Sequence, residues 1–313
     1  MIPLPHVAAP LAVPVAAIGV LLLVATVAVV ALRLVKPASD WSELTARVRS
    51  WWVMAALFLG ALLLSRGTAL AFFGVVSFWA LREFFSLVPG RFVDRVALFS
   101  AYAAIPLQYL WIGTGWHGMS LVFVPVWVFL WVPFVLMLTG EPKGFVASAS
   151  RIHWGTMVFV FGLSHGALFL ALPPKAGFEA GPQGLLLFLV VVTELNDVFQ
   201  YLVGKSVGRH RITPVVSPKK TWEGFLGGVV LTSGLAWLLR DLTPLSPALA
   251  PAAGALLAAT GFVGDVVMSA VKRDVGVKDA SDLIPGHGGV LDRIDSLCYT
   301  APVFFHLVKY VAY

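Results

Sequence analysis

Long runs of apolar residues, separated by short polar segments, fill this chain from one end to the other. A helix that crosses a bilayer needs roughly 20 such residues, and most of the runs are about that long. The pattern therefore predicts an all-α, polytopic integral membrane bundle of nine to ten transmembrane helices. The ten candidate spans are residues 13–35, 51–65, 68–88, 96–112, 119–139, 152–172, 183–203, 225–240, 248–271 and 295–312. The count falls to nine if the short second span joins the third in one helical hairpin.

Composition supports this assignment. Of the 313 residues, 59% are hydrophobic and only 12% are charged, with a mean hydropathy of +0.88, which leaves no room for a sizeable soluble domain. The first apolar run carries Arg33 and Lys36 at its end, whereas a signal peptide places its charge before a shorter apolar core. We therefore expect an uncleaved first helix. The one cysteine, Cys298, excludes a disulfide within the chain.

The distribution of the 22 lysines and arginines predicts the orientation of the helices. Of these, 18 fall on one side of the ten-span arrangement and 4 on the other, and the majority side is expected to face the cytoplasm. Both chain ends then lie outside. Because the positive charges lie in loops between spans, the net charge of +6 does not indicate a nucleic-acid partner.

Three polar clusters interrupt the apolar pattern, and the predicted topology places all three at the cytoplasmic face. The first is TELNDVFQY, residues 193–201, inside a predicted span. Glu194, Asp197 and Tyr201 lie near one helical face, and carboxylates in a span are costly unless they are paired, protonated or bound to a cation. We therefore favour a functional role for this cluster over a structural contact with a neighbouring helix.

The second cluster is the basic segment GKSVGRHRITPVVSPKKTWEGFLGG, residues 204–228. It places Ser217, Lys219, Lys220 and Thr221 directly before a helix that we expect to begin near Trp222. Lysine ammonium groups suit the oxygens of a triphosphate, and a helix N-terminus offers free amide groups to an anion. An ordinary positive-inside loop would explain the charge but not the hydroxyl groups. We therefore predict that this segment binds phosphates.

The third cluster is SAVKRDVGVKDASDLIPGHGGVLDRIDS, residues 269–296, together with the helix before it. Asp265, Ser269 and Lys272 are spaced to share one helical face, and Asp292 and Asp295 begin the last span. Asp265 with Asp292 would form a hard-oxygen site suited to Mg²⁺, which takes one or two carboxylates plus substrate phosphates. Further candidate substrate-binding residues in this cluster are Arg273, Lys278, Asp279 and Arg293.

The PGHGG turn of the third cluster contributes His287, Gly288 and Gly289. His287 is a candidate ligand for the metal or the substrate, and a structural role is an equal alternative. The two glycines favour a close approach of the backbone to a phosphate, because no side chain blocks it. A transporter or channel would explain the carboxylates within the spans but neither the SPKKT segment nor this turn, so an enzyme is the better hypothesis.

These segments, taken in order, match a known family. The pattern SxVKRxxxxKDxxxLIPGHGGxLDRxD closely resembles the signature of the phosphatidate cytidylyltransferases, the CDP-diacylglycerol synthases. The segment SPKKTWEGFLGG, preceded by a basic loop and an intramembrane aspartate, looks like a second block of that family. The resemblance covers roughly residues 190–300. It divides the chain into motif-poor N-terminal helices, residues 1–180, and a C-terminal catalytic membrane region with cytoplasmic polar loops, residues 181–313.

The resemblance implies a reaction in which CTP and phosphatidate give CDP-diacylglycerol and pyrophosphate. It implies that Asp265 and Asp292 bind the metal, and that Asp197, Ser269, Lys272 and Asp295 line the polar pocket. Asp265, Lys272, Asp292 and Asp295 are thus the expected catalytic residues. It further implies Mg²⁺ with K⁺ beside it, phosphatidate or a related anionic lipid as acceptor, a homodimer, and a bacterial inner-membrane location with the active site at the cytoplasmic face.

Two departures from the family pattern indicate a divergent bacterial subgroup. Family members usually have an acidic residue where this chain has Met268, and a DTGAY-like run where it has residues 197–201. The alternatives are therefore a cytidylyltransferase or CTP-dependent kinase that acts on another membrane lipid, and an inactive paralogue.

Overall fold

The computed structural model describes residues 9–313, and its helices follow the apolar runs. Ten helices make up most of this part of the chain. They are α1 (Ala9–Val35), α2 (Ser42–Leu64), α3 (Arg66–Leu87), α4 (Arg95–Gly113), α5 (His117–Met137), α6 (Phe145–Ala171), α7 (Gly181–Val207), α8 (Trp222–Leu238), α9 (Leu249–Asp274) and α10 (Leu291–Ala312). Short π-helical segments, Phe123–Val128 and Thr156–Gly162, interrupt α5 and α6.

Eight of these ten helices are long and apolar enough to cross a membrane, the exceptions being α8 and α10. The predicted all-helical, polytopic membrane fold is therefore confirmed. Because α8 has only 17 residues and α10 carries several charges near its start, the number of spans beyond eight stays a prediction.

The helix observed at the second predicted span, α2, is longer than the apolar run from which the span was predicted. α2 begins at Ser42, because its first turns are polar and a hydropathy pattern registers only the apolar part. Ser65 alone separates α2 from α3, and it forms a reciprocal cap with Thr68. The Thr68 amide donates to Ser65 Oγ and the Ser65 amide donates to Thr68 Oγ1, each at 3.0 Å. The two helices are therefore separate, consecutive elements.

The basic segment between α7 and α8 forms a two-stranded antiparallel hairpin, which the sequence did not predict. Strand β1 (Arg211–Thr213) pairs with strand β2 (Ser217–Thr221). Successive side chains of a strand point to opposite faces. Lys219 is accordingly exposed, whereas Lys220 is half-buried against the helices.

Helices α7 to α10 approach one another closely because glycines lie at their contacts. A Cβ atom on Gly264 of α9 would lie 2.6 Å from the Asp295 carbonyl oxygen of α10. A Cβ atom on Gly224 of α8 would lie 2.9 Å from the Gly204 Cα of α7. Small residues allow this backbone approach in membrane bundles. The packing brings the polar ends of the four helices together.

Candidate functional site

Charged side chains from α7, α9, α10 and the hairpin meet at one end of the bundle. Lys220 Nζ lies 2.5 Å from Asp265 Oδ2, and Ser269 Oγ donates to Asp265 Oδ1 at 3.4 Å. Burial alone would lower the pKa of Lys220, but the charges of Asp265 and Asp197, and then of Asp295, raise it above its usual value. Lys220 is therefore held protonated. We refer to the three carboxylates Asp197, Asp265 and Asp295, together with Lys220 that lies among them, as the carboxylate cluster.

Asp197 has one carboxylate oxygen that the protein leaves unpaired. Its Oδ2 accepts a hydrogen bond from Ser296 Oγ at 3.0 Å, whereas its Oδ1 is buried without a hydrogen-bond partner. The neighbouring Asp295 accepts from the Ser296 amide at 2.7 Å. A buried carboxylate oxygen without a partner is unfavourable, so this position favours a cation or a hydrogen-bond donor.

Asp292 organises the loop between α9 and α10. Its Oδ1 lies 2.6 Å from Lys272 Nζ, and both side chains are almost fully buried. Its Oδ2 accepts from the amides of Ala280 and Gly289 at 2.7 and 2.9 Å. Both oxygens of Asp292 are thus engaged by protein groups, and the Lys272–Asp292 pair ties the end of α9 to the start of α10.

The two predicted metal ligands belong to different ion pairs. Asp265 pairs with Lys220, and Asp292 pairs with Lys272. Within residues 9–313, no three His, Cys, Asp or Glu side chains lie close enough together to form a complete metal site. Mg²⁺ needs only one or two carboxylates when substrate phosphates supply further oxygens. Asp197 Oδ1, which has no protein partner, is one oxygen of this kind, and the metal roles of Asp265 and Asp292 stay predictions.

The PGHGG turn packs on α2. Ser50 Oγ donates to the Pro285 carbonyl at 2.8 Å, and the His287 ring lies edge-on to Trp51 with the ring centroids 5.8 Å apart. Burial lowers the pKa of His287 below its usual value, and the charge of Arg293 lowers it further, although a backbone hydrogen bond at Pro285 opposes this. The imidazole is therefore neutral near pH 7. Its contact with α2 indicates a structural role, and its predicted ligand role stays a prediction.

Gly288 and Gly289 bring the backbone against two protein carboxylates. Gly288 has a φ angle of 80°, and a Cβ atom there would lie 2.7 Å from Asp292 Oδ2. A Cβ atom on Gly289 would collide with the Glu83 carboxylate. Packing alone therefore requires both glycines, and their approach to a phosphate stays a prediction.

Glu83 of α3 is a key residue that is absent from the sequence-based predictions. It is buried, and its carboxylate caps the start of α10. Its Oε1 accepts from the Val290 amide at 3.1 Å and from Ser281 Oγ at 2.8 Å, and its Oε2 accepts from the Leu291 amide at 2.8 Å. A carboxylate is stabilised there by free amides and the helix dipole. The sequence feature that could have identified Glu83 is the presence of a carboxylate within an otherwise apolar run of residues.

Glu83→Gln is expected to lower the free energy of unfolding by about 1–3 kcal/mol. Glutamine offers one acceptor oxygen, whereas the amides of Val290 and Leu291 bond to different oxygens of Glu83. Denaturant titration in detergent micelles measures the change, and hydrogen exchange at the two amides locates it. Glu43→Gln, on an exposed position of α2, is the matched control. Equal stability of the two variants would contradict the capping role.

Two of the first amides of α8 bond to protein acceptors, so they are not free for an anion as the sequence predicts. The Trp222 amide donates to the His210 carbonyl at 2.8 Å, and the Gly224 amide donates to Thr221 Oγ1 at 3.2 Å. The Glu223 carboxylate accepts from the amides of Arg209 and His210 at 2.9 and 3.2 Å. The hairpin makes these hydrogen bonds possible, because it brings residues 209 and 210 next to the first turn of α8.

The other predicted substrate-binding residues differ in their surroundings. Arg293 of α10 has a buried Nε atom without a hydrogen-bond partner. Ser217 is half-buried in the hairpin. The exposed members, which lie outside the carboxylate cluster, are Lys219, Arg273, Lys278 and Asp279.

Comparison with known proteins identifies the family of this chain. A model of the "Cytidylyltransferase family" matches residues 45–311. The uncharacterized protein YnbB of Escherichia coli (strain K12) is 44% identical over 278 residues, which are 88% of this chain and 91% of YnbB. The phosphatidate cytidylyltransferase of Aquifex aeolicus (strain VF5) is 41% identical over 145 residues, which are 46% of this chain and 54% of that protein. The phosphatidate cytidylyltransferase of Staphylococcus aureus (strain COL) is 29% identical over 267 residues, or 82% of this chain and 96% of that protein.

The family match includes every element that contributes to the carboxylate cluster and to the loop around Asp292. It also includes Glu83, which caps α10. This chain therefore belongs to the cytidylyltransferase family and is a membrane-embedded nucleotidyltransferase.

Proposed function

We propose that this protein transfers CMP from CTP to phosphatidate, giving CDP-diacylglycerol and pyrophosphate. The observation that carries the proposal is the Lys220–Asp265 ion pair, which joins the SPKKT hairpin to α9 beside Asp197 and Asp295. The two relatives from Aquifex aeolicus and Staphylococcus aureus are phosphatidate cytidylyltransferases by name, whereas YnbB is an uncharacterized protein by name. The choice of phosphatidate as acceptor rests on those two relatives.

In this reaction an oxygen of the lipid phosphomonoester attacks the α-phosphorus of CTP. A new P–O bond forms while the bond from the α-phosphorus to the bridging oxygen breaks, and pyrophosphate leaves with that oxygen. Such a transfer depends on positioning and charge neutralisation more than on acid–base catalysis. Lys220, held protonated by its carboxylate neighbours, supplies positive charge beside the helices. Lys219, exposed on the opposite side of β2, is available to phosphates that extend into solvent.

Mg²⁺ and a neighbouring K⁺ are part of this proposal. Asp265, whose carboxylate is half-buried, and Asp197, whose Oδ1 has no protein partner, would hold the divalent ion. A bound divalent ion supplies charge neutralisation at the phosphates. Asp292 would contribute through the loop that its hydrogen bonds with Ala280 and Gly289 hold in place.

The proposed location is the inner membrane of a bacterium, with the carboxylate cluster at its cytoplasmic face. The lysines and arginines gather at the ends of the helices that form the cluster, as expected for cytoplasmic loops. CTP would reach the cluster from the cytoplasm and phosphatidate from the bilayer. A homodimer, which the family resemblance implies, stays a prediction.

Product analysis with purified protein tests the reaction. Protein in detergent with Mg²⁺, phosphatidate and CTP labelled at the α-phosphorus is expected to yield a labelled CDP-lipid and unlabelled pyrophosphate. CTP labelled at the γ-phosphorus distinguishes a kinase, which would label the lipid and release CDP. Labelling of another phospholipid acid but not of phosphatidate would show a different acceptor. No product with any lipid of the panel would contradict the proposal.

A further inference from the structure

A cavity of about 320 Å³ lies between two helix connections, and the elements that form the carboxylate cluster do not contribute to it. Residues 88–91, which follow α3, form one side, and Gly144, Ser148 and Arg151, at the start of α6, form the other. The predicted topology places these helix ends at the cytoplasmic face, where lipid head groups lie. The cavity is therefore at a depth that a phospholipid head group can reach.

Arg151 lines this cavity, and two of the three nitrogens of its guanidinium have no hydrogen-bond partner. The side chain is buried, with 8% of the residue exposed. Its Nη1 donates to the Val88 carbonyl at 2.8 Å, whereas Nε and Nη2 are buried without a hydrogen-bond partner. These two nitrogens share one edge of the guanidinium plane. That edge presents two parallel donors, the arrangement that binds two oxygens of a phosphate or carboxylate.

Asp94, the nearest carboxylate to Arg151, is already engaged elsewhere. Its Oδ1 accepts from Arg91 Nε and Nη2 at 3.1 and 2.8 Å, and its Oδ2 accepts from Ser148 Oγ at 2.5 Å. The Nη2 of Arg151 remains 4.0 Å from Asp94 Oδ2. Two arginines and one carboxylate leave one net positive charge, and a buried charge without a full partner is strongly unfavourable. The site therefore favours an anion.

We propose that this cavity binds the phosphate of an anionic phospholipid. The Nε–Nη2 edge of Arg151 would hold two phosphate oxygens. Apolar side chains next in sequence to the cavity lining are exposed and suited to acyl chains, since Phe92 is 72% and Val146 74% exposed. A free phosphate would use the arginine but not these side chains. The bound lipid would join the α3–α4 and α5–α6 connections, and the proposal is independent of the reaction proposed above.

Two variants change the Nε–Nη2 edge of the Arg151 guanidinium in different ways. Arg151→Lys keeps the positive charge and can keep the bond to the Val88 carbonyl, but it lacks the paired donors. Gly90→Ala keeps Arg151 and displaces it, because a Cβ atom at position 90 would overlap the Arg151 guanidinium. Arg49→Lys, the same exchange at an exposed residue of α2 on the predicted cytoplasmic side, is the matched control. If Arg151→Lys does not fold, Gly90→Ala carries the test.

The full chain, purified in a neutral detergent, is titrated with phosphatidylglycerol, phosphatidylcholine or inorganic phosphate. The thermal unfolding midpoint gives the apparent affinity, and native mass spectrometry counts the bound lipids. Phosphatidylglycerol is expected to raise the midpoint saturably in the wild type and in Arg49→Lys. Arg151→Lys and Gly90→Ala are expected to bind it roughly 10- to 100-fold more weakly. Lys220→Ala, which alters the reaction site, is expected to bind it as the wild type does.

Three results would overturn the proposal. Wild-type affinity in Arg151→Lys and Gly90→Ala would show that the arginine edge does not bind the lipid. An equal effect of inorganic phosphate would assign the cavity to a free anion, and an equal effect of phosphatidylcholine would remove the requirement for an anionic lipid. Loss of binding in Lys220→Ala alone would assign the lipid to the carboxylate cluster.

Discussion

Asp265→Asn is expected to slow CDP-lipid formation roughly 100- to 1,000-fold, the largest effect on activity that we expect from one substitution. The amide keeps the size of the side chain and can still accept the hydrogen bond from Ser269. It removes the charge that faces Lys220 and that would bind a divalent cation. The measurement is the initial rate with CTP, phosphatidate and saturating Mg²⁺, with separation of the lipid products.

Asp274→Asn is the matched control for this experiment. It makes the same change at the end of the same helix, α9, but at an exposed position away from the carboxylate cluster. We expect a wild-type rate from this control and similar unfolding midpoints for both variants. A rate for Asp265→Asn above about a tenth of the wild-type value would contradict a central role for this carboxylate.

Lys272→Met is expected to lower the free energy of unfolding by about 3–5 kcal/mol, the largest effect on stability that we expect. Methionine fills a similar volume but leaves the buried Asp292 carboxylate without its cation. The amides of Ala280 and Gly289 would still donate to Asp292 Oδ2, but Oδ1 would lose its partner. Denaturant titration in detergent micelles measures the change. CDP-lipid formation should fall as well, because the pair holds the loop between α9 and α10.

Lys278→Met is the control for the buried pair. Lys278 is exposed in the same loop, 3.8 Å from the exposed Asp279, and surface pairs of this kind contribute little to stability. Its variant should unfold at the wild-type denaturant concentration. If Lys272→Met unfolds at the same denaturant concentration as Lys278→Met, the buried ion pair does not hold the loop in place.

The contacts of α10 show where local patterns stop being informative. The spacing of Asp292 and Asp295 correctly placed both at the start of the last helix. The cap on that helix comes from Glu83, 208 residues before Leu291, so no local motif connects the two residues. The hairpin of residues 211–221 was missed for a related reason. Its strands are short and polar, and the hydrophobic alternation that marks a strand is absent.

Hydrophobic patterning determined that this chain forms membrane helices and where most of them lie, because a lipid environment leaves the backbone few structures other than helices. Helical spacing also determined that Asp265 and Ser269 share one face, which their hydrogen bond shows. The tertiary structure decided which lysine meets which carboxylate. Close packing of α7 to α10 through glycines sets the rotation and depth of each helix. The rotation and depth of the helices pair Lys220 with Asp265 and Lys272 with Asp292. Neither the rotation nor the depth of a helix is encoded in the spacing of residues along it.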